Sequence, residues 1–512
     1  MLRFIVRRVL IGVGILILSS LLMYLMVDLA MDPLEDIRMR PDSNATKELL
    51  MQQRIELLHL DQPVISRYFM WLGNFVTGDM GTAWTTNREV VDILAGAMVS
   101  TMQLVTASTV LAIILGIGVG IVSALRQYSS FDYLITFVSF LMFSLPSFWV
   151  AVLLKQWAAI GYNDFLRDPV IAIPVMIGIA AVFGLVWALA LGGAPQRRLI
   201  NGAAAGAVTL AVLLYIQLTD WWTTPNIGPV LLTITSLGIA LGVTTLSTGL
   251  KNRRSLLTAL TVAVLGVALY IPMQWVFYYL TPMMNWALVL GLGVLAGVVG
   301  GVVGALYRGP DWRQSVRTGA LTAVPVAALI FIDQVMQVWG PYTNANAIGG
   351  RPIPTIGDTT PNLGGNFWVV TLDQYTHLIL PTVSLMLISF ASYTRYARGS
   401  MLEVMSQDYI RTARAKGLTE RTVIMRHGFR NSLIPMATIV PIDIITLIGG
   451  AIITENIFGR PGMGQMFVRH LNASDIEPVM AYLLIVAFLA IVANIVADLI
   501  YAVLDPRIRV EA

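Results

Sequence analysis

The sequence predicts an all-α polytopic membrane protein with about twelve transmembrane helices. Three observations predict it. The chain of 512 residues is 56% hydrophobic and 12% charged, with a mean hydropathy of +0.74, and one water-facing core cannot bury so much apolar surface. Apolar runs of about twenty residues, the length that crosses roughly 30 Å of hydrocarbon, recur along most of the chain. The polar linkers between them alternate between basic and aromatic, as expected when Lys and Arg collect in cytoplasmic loops and Trp and Tyr sit at the membrane interfaces.

At the N-terminus, Arg3, Arg7 and Arg8 precede the first apolar run. The run is too long for a signal-peptide core and no small-residue cleavage site follows it, so Leu10 to Ala30 is expected to be a retained span entering from the cytoplasm. Residues 31–100 are mixed and polar and read as an external segment. Spans two and three are expected at Thr101–Leu125 and Phe131–Leu154, joined by a short basic turn at Arg126. Six further runs lie near 170–192, 199–218, 227–249, 256–280, 284–306 and 318–339. Their linkers "GGAPQRRLIN", "KNRRS" and "YRGPDWRQSVR" are basic, whereas "TDWWTTPN" and "YYLTPMMNW" carry no Lys or Arg. The two kinds therefore fall on opposite sides. A Gly- and Pro-rich external loop, Gly340 to Asp373, leads to the last spans at His377–Tyr396, Ile434–Ile453 and Val479–Leu504. Both termini are then expected in the cytoplasm.

Composition also narrows the chemistry. With no cysteine, the chain has no disulfide, thiolate metal site or cysteine nucleophile. His59, His377, His427 and His470 are scattered without metal-ligand spacing, so no metal site is expected. The net charge of +4 reads as basic cytoplasmic loops and not as a nucleic-acid surface. No G-x-x-x-x-G-K-[ST] phosphate loop occurs, so nucleotide must be handled by a partner if it is used, and no cofactor is expected.

The charge that is present concentrates in "SQDYIRTARAKGLTERTVIMRHGFRNSLIPM", Ser406 to Met436, between two spans on the cytoplasmic side. "DYIRTARAKG" reads as a short helix with Gly417 as its C′ residue. Thr419 is the N-cap of a second helix, with Glu420 in its first turn. Ile410, Ala413 and Gly417 share a small, weakly apolar face flanked by Arg411, Arg414 and Lys416. Such a face suits insertion into a partner's groove, while a basic loop obeying the positive-inside rule explains the same residues.

The segment "QDYIRTARAKGLTERTVIMRHGFRNSLIP" resembles the cytoplasmic loop of ATP-binding cassette (ABC) importer permeases, in particular the first permease of the oligopeptide, dipeptide and nickel importer family. Arg411, Thr412 and Ala413 stand where the general motif has Glu-Ala-Ala, and Gly417 stands at its glycine. The glutamate is absent, so no role of that carboxylate carries over. "MLRFIVRRVL", "LDQPVISRYFMWLGNFVTGDMGTAW", "ENIFGRPGMGQMF" and "ADLIYAVLDPRIR" resemble the same permease in order and position. The resemblance covers residues 1–155 and 375–512, a six-helix permease core whose cytoplasmic loop is 398–435. Residues 156–374 are an insert of about six helices and an external loop.

The resemblance implies a non-enzymatic transport subunit of the cell membrane that moves peptides or similar solutes. It also implies two ATPase subunits, a second homologous permease and an extracytoplasmic substrate-binding protein. Arg411, Thr412, Ala413, Arg414, Ala415, Lys416, Gly417 and Leu418 would couple to the ATPases. Asp79, Gly81, Arg460, Gly462 and Gly464 would contact the binding protein. Alternatives are an ion-coupled secondary transporter, for which twelve spans suffice but no inverted repeat is evident, and a nickel or oligosaccharide permease of the same family. Carboxylates in spans are often functional. Asp333 reads as helix packing, whereas a cavity or interface role stays open for Asp443 and Asp498. Gly293, Gly297, Gly300, Gly301 and Gly304 read as a close helix contact.

Overall fold

Lipid offers no water to backbone amides, so every crossing must satisfy its own N–H and C=O groups within a helix. The computed structural model describes residues 2–307, 309 and 312–504, and for residues 2–5, 438, 449, 450, 498 and 500–504 the backbone alone. Among these, 11 helices are long and apolar enough to cross a membrane, or up to 12 if one bent pair is a span. The expected all-α polytopic architecture is therefore observed.

The first span is α1 (Leu2–Ala30). The polar segment after it is more structured than its composition suggests, holding α2 (Glu35–Met39), α3 (Asn44–Leu58), α4 (Val64–Thr77) and a hairpin of β1 (Thr82–Ala83) with β2 (Arg88–Glu89). Next comes α5 (Val90–Leu125), which begins well before the expected boundary. The expected third span is not one helix. It is divided into α6 (Ser130–Ser144) and α7 (Ser147–Leu153), a π-helix at Leu154–Gly161 and α8 (Tyr162–Phe165), with a bend of 100° after α6. Pro146 is the cause: it lacks an N–H and forces the preceding Leu145 out of the helical region, to φ −78 and ψ 131.

The six spans of the segment read above as an insert, for which that label is kept, are α9 (Ile173–Leu191), α10 (Pro195–Leu218), α11 (Gly228–Ser247), α12 (Arg253–Leu280), α13 (Trp286–Leu306) and α14 (Trp312–Gln337). After the short α15 (Trp339–Thr343) come α16 (Phe367–Ser406), α17 (Asp408–Ala415) and α18 (Glu420–Thr422). A π-helix at Val423–Phe429 runs directly into α19 (Arg430–Gly450), followed by α20 (Ile452–Ile457), α21 (Met463–Asn472) and α22 (Ile476–Leu504).

The core comprises α1, α5, the bent pair, α16, α19 and α22. Its central contact is α5 on α16, and the two run parallel, because Gly116 meets Tyr393 while Gly120 meets Thr394 and Ala397. Parallel helices enter from the same face, so the chain between them crosses an odd number of times. The bent pair plus six inserted spans satisfies this. α1 and α22 are antiparallel, Gly12 lying by Ile491 and Tyr24 packing in one cluster with Val479. The face carrying Arg411 is called the near face below, and the face carrying Asp79 the far face.

The insert divides into two parts. α9 and α10 form a hairpin through Gly184, Gly202 and Gly206, and this hairpin reaches the core through α6. The other four helices form a bundle, α11 to α14. Within it, α13 and α14 meet where a Cβ on Gly300 would lie 2.4 Å from the Gly319 carbonyl oxygen, and one on Gly304 2.4 Å from that of Ser315. The close contact read from the glycine pattern is thus made by Gly300 and Gly304. Gly297 and Gly301 have ordinary neighbours, and a Cβ on Gly293 would meet nothing within 4 Å.

Gly300→Leu should therefore destabilise the chain by about 1–3 kcal/mol through overpacking, while Gly293→Leu should be near neutral. Thermal unfolding of the two variants in detergent provides the comparison; equal melting would contradict the packing.

Candidate functional site

The charged island folds as the sequence suggests at its two caps. Gly417 has φ +74, and the paired bonds Gly417 N–H to Arg414 O (2.9 Å) and Leu418 N–H to Ala413 O (3.4 Å) close α17 with a Schellman motif. Thr419 accepts the Thr422 N–H at 3.4 Å as the N-cap of α18. The second helix does not stop after α18, because the π-helix carries it on into α19.

The small face, however, is turned inward. Ile410 is 0% and Ala413 6% exposed, and both pack with Val423, Val404 and Met405 of the same chain. Burying this apolar pair under its own π-helix holds α17 in place without a partner. The free surface of the segment is the opposite side: Arg411, Thr412, Arg414, Ala415, Lys416, Gly417 and Leu418 are exposed. Of the eight residues assigned to coupling, Ala413 alone is buried among them. Arg414 makes two bonds to Glu420, at 2.7 and 3.1 Å, bracing α17 on α18. That carboxylate also holds the Arg414 guanidinium above its ordinary pKa. Both partners are exposed, so the pair contributes less than about 1 kcal/mol.

The segment stands on a platform that sequence reading missed. Asp132, buried at the start of α6, receives Nε and Nη2 of Arg398 in α16 at 2.7 and 2.9 Å. Its two oxygens also accept the Ser123 hydroxyl at 2.5 Å and the Tyr128 N–H at 3.0 Å. One carboxylate thereby joins the ends of α5, α6 and α16. Ser400 of α16 donates to the Ser432 carbonyl of α19 at 2.9 Å, and Gly428 of the π-helix lies against Met401 and Met405. An Asp directly after a short basic turn was the available signal, but its partner is 266 residues away.

On the far face the structure joins the two loops that resemblance singled out. Thr85 donates to Asp475 through its hydroxyl at 2.6 Å and its N–H at 3.2 Å, and Trp84 reaches the Ser474 carbonyl at 3.5 Å. Asp79 is exposed, and it fixes Gly81 by accepting its N–H at 2.9 Å. Arg460, Gly462 and Gly464 differ from the surface role expected of them. Arg460 is 2% exposed and both glycines are buried. They surround Glu455, which accepts the Thr101 hydroxyl at 2.6 Å and the N–H groups of Gly464 and Gln465 at 2.8 and 3.2 Å, capping α21. A Cβ on Gly462 would lie 2.2 Å from Glu455 Oε1, so the glycine gives the carboxylate its room. These residues build the far-face loop from beneath.

Asp333 is a packing residue, as read. It accepts the N–H groups of Ile227 and Gly228 at 2.6 and 3.1 Å, the Tyr270 hydroxyl at 2.7 Å and the Gln337 amide at 2.7 Å. A carboxylate at the N-terminus of α11 is the favourable partner for that end of the helix dipole. Asp443 lies beside the buried hydroxyl of Tyr393, without a well-aligned hydrogen bond between them. The side chain of Asp498 lies outside the described residues.

The site is thus a short helix with a basic surface, mounted on one face of a six-helix core by its packing on α16 and on the π-helix Val423–Phe429. The profile described as "Binding-protein-dependent transport system inner membrane component" matches residues 312–510, and that of the corresponding N-terminal component matches residues 1–105. The first match begins within the segment assigned above to the insert. The chain is similar to the oligopeptide transport system permease protein OppB of Mycobacterium tuberculosis, being 38% identical over 224 residues that cover 43% of this chain and 67% of that protein. It is also similar to the dipeptide transport system permease protein DppB of Escherichia coli, 35% identical over 241 residues covering 43% and 70%. With the oligopeptide transport system permease protein AppB of Bacillus subtilis it is 25% identical over 508 residues, covering 99% of each. The chain belongs to the oligopeptide and dipeptide permease family of ABC importers.

Two predictions test the site. Ala413→Leu should destabilise the chain by about 1–3 kcal/mol, whereas the exposed Ala415→Leu should stay within about 0.5 kcal/mol; unfolding in detergent reads both. Asp132→Asn leaves Arg398 without its carboxylate and should lower stability by about 3 kcal/mol. An unchanged melting temperature would remove Asp132 from the platform.

Proposed function

We propose that this chain is the permease through which peptides or similar small solutes, delivered by an extracytoplasmic binding protein, enter the cell at the expense of ATP hydrolysed on two partner ATPases. It pairs with a second homologous permease in the inner or plasma membrane. The near face is cytoplasmic and carries both termini.

One observation carries this reading: α17 is a short helix presenting a basic surface on the near face, held by α16 and by the π-helix that leads into α19. Arg411, Arg414 and Lys416 provide orientation toward an acidic groove, while Leu418, 41% exposed, supplies apolar contact. Ala413 supports this surface from below. Closure of the ATPases pushes on α17, and the platform of Asp132, Arg398 and Ser400 passes the displacement to α5, α6, α16 and α19 as a rigid-body change between inward-open and outward-open states. On the far face, Asp79 and Gly81 form the part of the surface that meets the binding protein, with Arg460, Gly462 and Gly464 shaping it through Glu455.

Reconstitution with the cognate ATPases and second permease tests the reading. The chain alone should not hydrolyse ATP, and it should stimulate hydrolysis in the complex. Arg411→Glu together with Lys416→Glu should reduce that stimulation at least tenfold while the chain remains folded. Full stimulation in the double variant would refute the coupling assignment.

A further inference from the structure

The coupling segment touches more than the core. Arg421 of α18 donates from Nη2 to the carbonyl of Thr245, in the last turn of α11, at 2.6 Å. Its guanidinium lies against Gly249: a Cβ there would sit 2.7 Å from Nη1 and 3.0 Å from Cζ. Gly249 has φ +85 and its N–H closes the helix on Thr244 O at 2.7 Å. That bond leaves the Thr245 carbonyl as one of the orphan acceptors of the helix end, where a cation is favoured by the dipole. Arg421 thus caps a helix of the insert from within the coupling segment.

The other end of α11 is held as well. Asp333 of α14 receives the N–H groups of Ile227 and Gly228, so α11 carries a carboxylate at its positive end and a guanidinium at its negative end, each from a different element. It spans the two faces as a strut. Both ends of α11 are tied into the bundle, the far end through Asp333 and the near end through Ser247, whose hydroxyl pairs with that of Thr318 in α14 at 2.5 Å, whereas the bond to α18 is made by the exposed side chain of Arg421. The Arg421 contact is therefore the one that can be made and released without disrupting the bundle.

We infer that Arg421 is a positioning residue that fixes the coupling segment to the near end of α11, so that the inserted bundle moves with α17 and sets how strongly the segment stimulates ATP hydrolysis. The inference rests on the coupling role proposed above for α17. It assigns the insert a part in coupling, although the insert lies beside the core.

The absence of native cysteines makes a distance measurement direct. Spin labels at Leu250→Cys and Arg426→Cys, in the full complex in nanodiscs with Mg-ATP, read the separation of α11 from the coupling segment by pulsed electron paramagnetic resonance. The parent should give one narrow distance. Arg421→Ala should broaden it and lower the stimulated ATPase rate at least threefold, and Arg421→Lys should recover part of both. A broadened distance with unchanged stimulation would make the contact merely structural and overturn the inference. Reduced stimulation with an unchanged distance would place Arg421 on the ATPase and overturn it equally. If the parent complex showed no stimulation, the proposed function would fall, and the distances in the Arg421 variants would still decide whether the contact exists.

Discussion

The parallel contact of α5 with α16 constrains everything else in this chain. It depends on Gly116 and Gly120, where added Cβ atoms would lie 2.8 Å from the Tyr393 side chain and 2.5 Å from the Thr394 carbonyl oxygen. Without side chains at these positions the two backbones come close enough for dispersion and weak polar contacts to hold them in lipid, where the hydrophobic effect gives no preference for helix association. A parallel pair requires an odd number of crossings between its members. The bent third span alone would meet that requirement, so only an even number of further spans fits between them, and six do. The insert's size is thus a matter of topology before it is one of function.

The same contact brings the near ends of α5 and α16 together, and there Asp132 converts proximity into rigidity. A carboxylate bonded to Arg398, Ser123 and the Tyr128 backbone is fully occupied, so its desolvation is offset by several strong hydrogen bonds. Built on this platform, α17 buries its small face beneath the π-helix Val423–Phe429 and shows its polar face outward. π-Helical insertions in α-helices are frequent at functional positions. Here the insertion turns Val423 and Gly428 toward α16 and α17, where both are buried.

The insert consists of two bodies with different attachments. The α9–α10 hairpin leans on α6, and none of the residues of α10 is buried, its contacts lying on the face turned toward α9. The four-helix bundle instead meets α16 through α14 and α15, with Trp368 of α16 packed on Phe277 and Phe331. Its helix α11, capped by Asp333 at one end and Arg421 at the other, reaches the charged segment that carries α17 and α18.

Hydropathy, linker charge and local cap chemistry were sufficient to determine the membrane class, the number and order of the spans, the glycine elbow at Gly417 and the N-cap at Thr419. These are properties of short windows, and they survive in any tertiary context that keeps the helices in lipid. The glycine spacing in α13 also identified a close contact, although only the partner helix could distinguish Gly300 and Gly304 from Gly293. The rest depended on residues distant in the chain. The break at Leu145–Pro146 left an apolar run whose bend no composition window registers. Whether Ile410 and Ala413 face a partner or their own chain depends on Val423 and Met405 folding back over them. Arg460 and Gly462 look like an exposed polar loop until Glu455 and Thr101 are brought beside them. Asp132 finds Arg398, and Arg421 finds Thr245, across separations that carry no local pattern, because an ion pair or a helix cap is specified by geometry in space. Sequence alone thus determined which segments enter the membrane; tertiary structure decided which of their polar groups are left free to act, since burial and pairing exist only once the helices have packed.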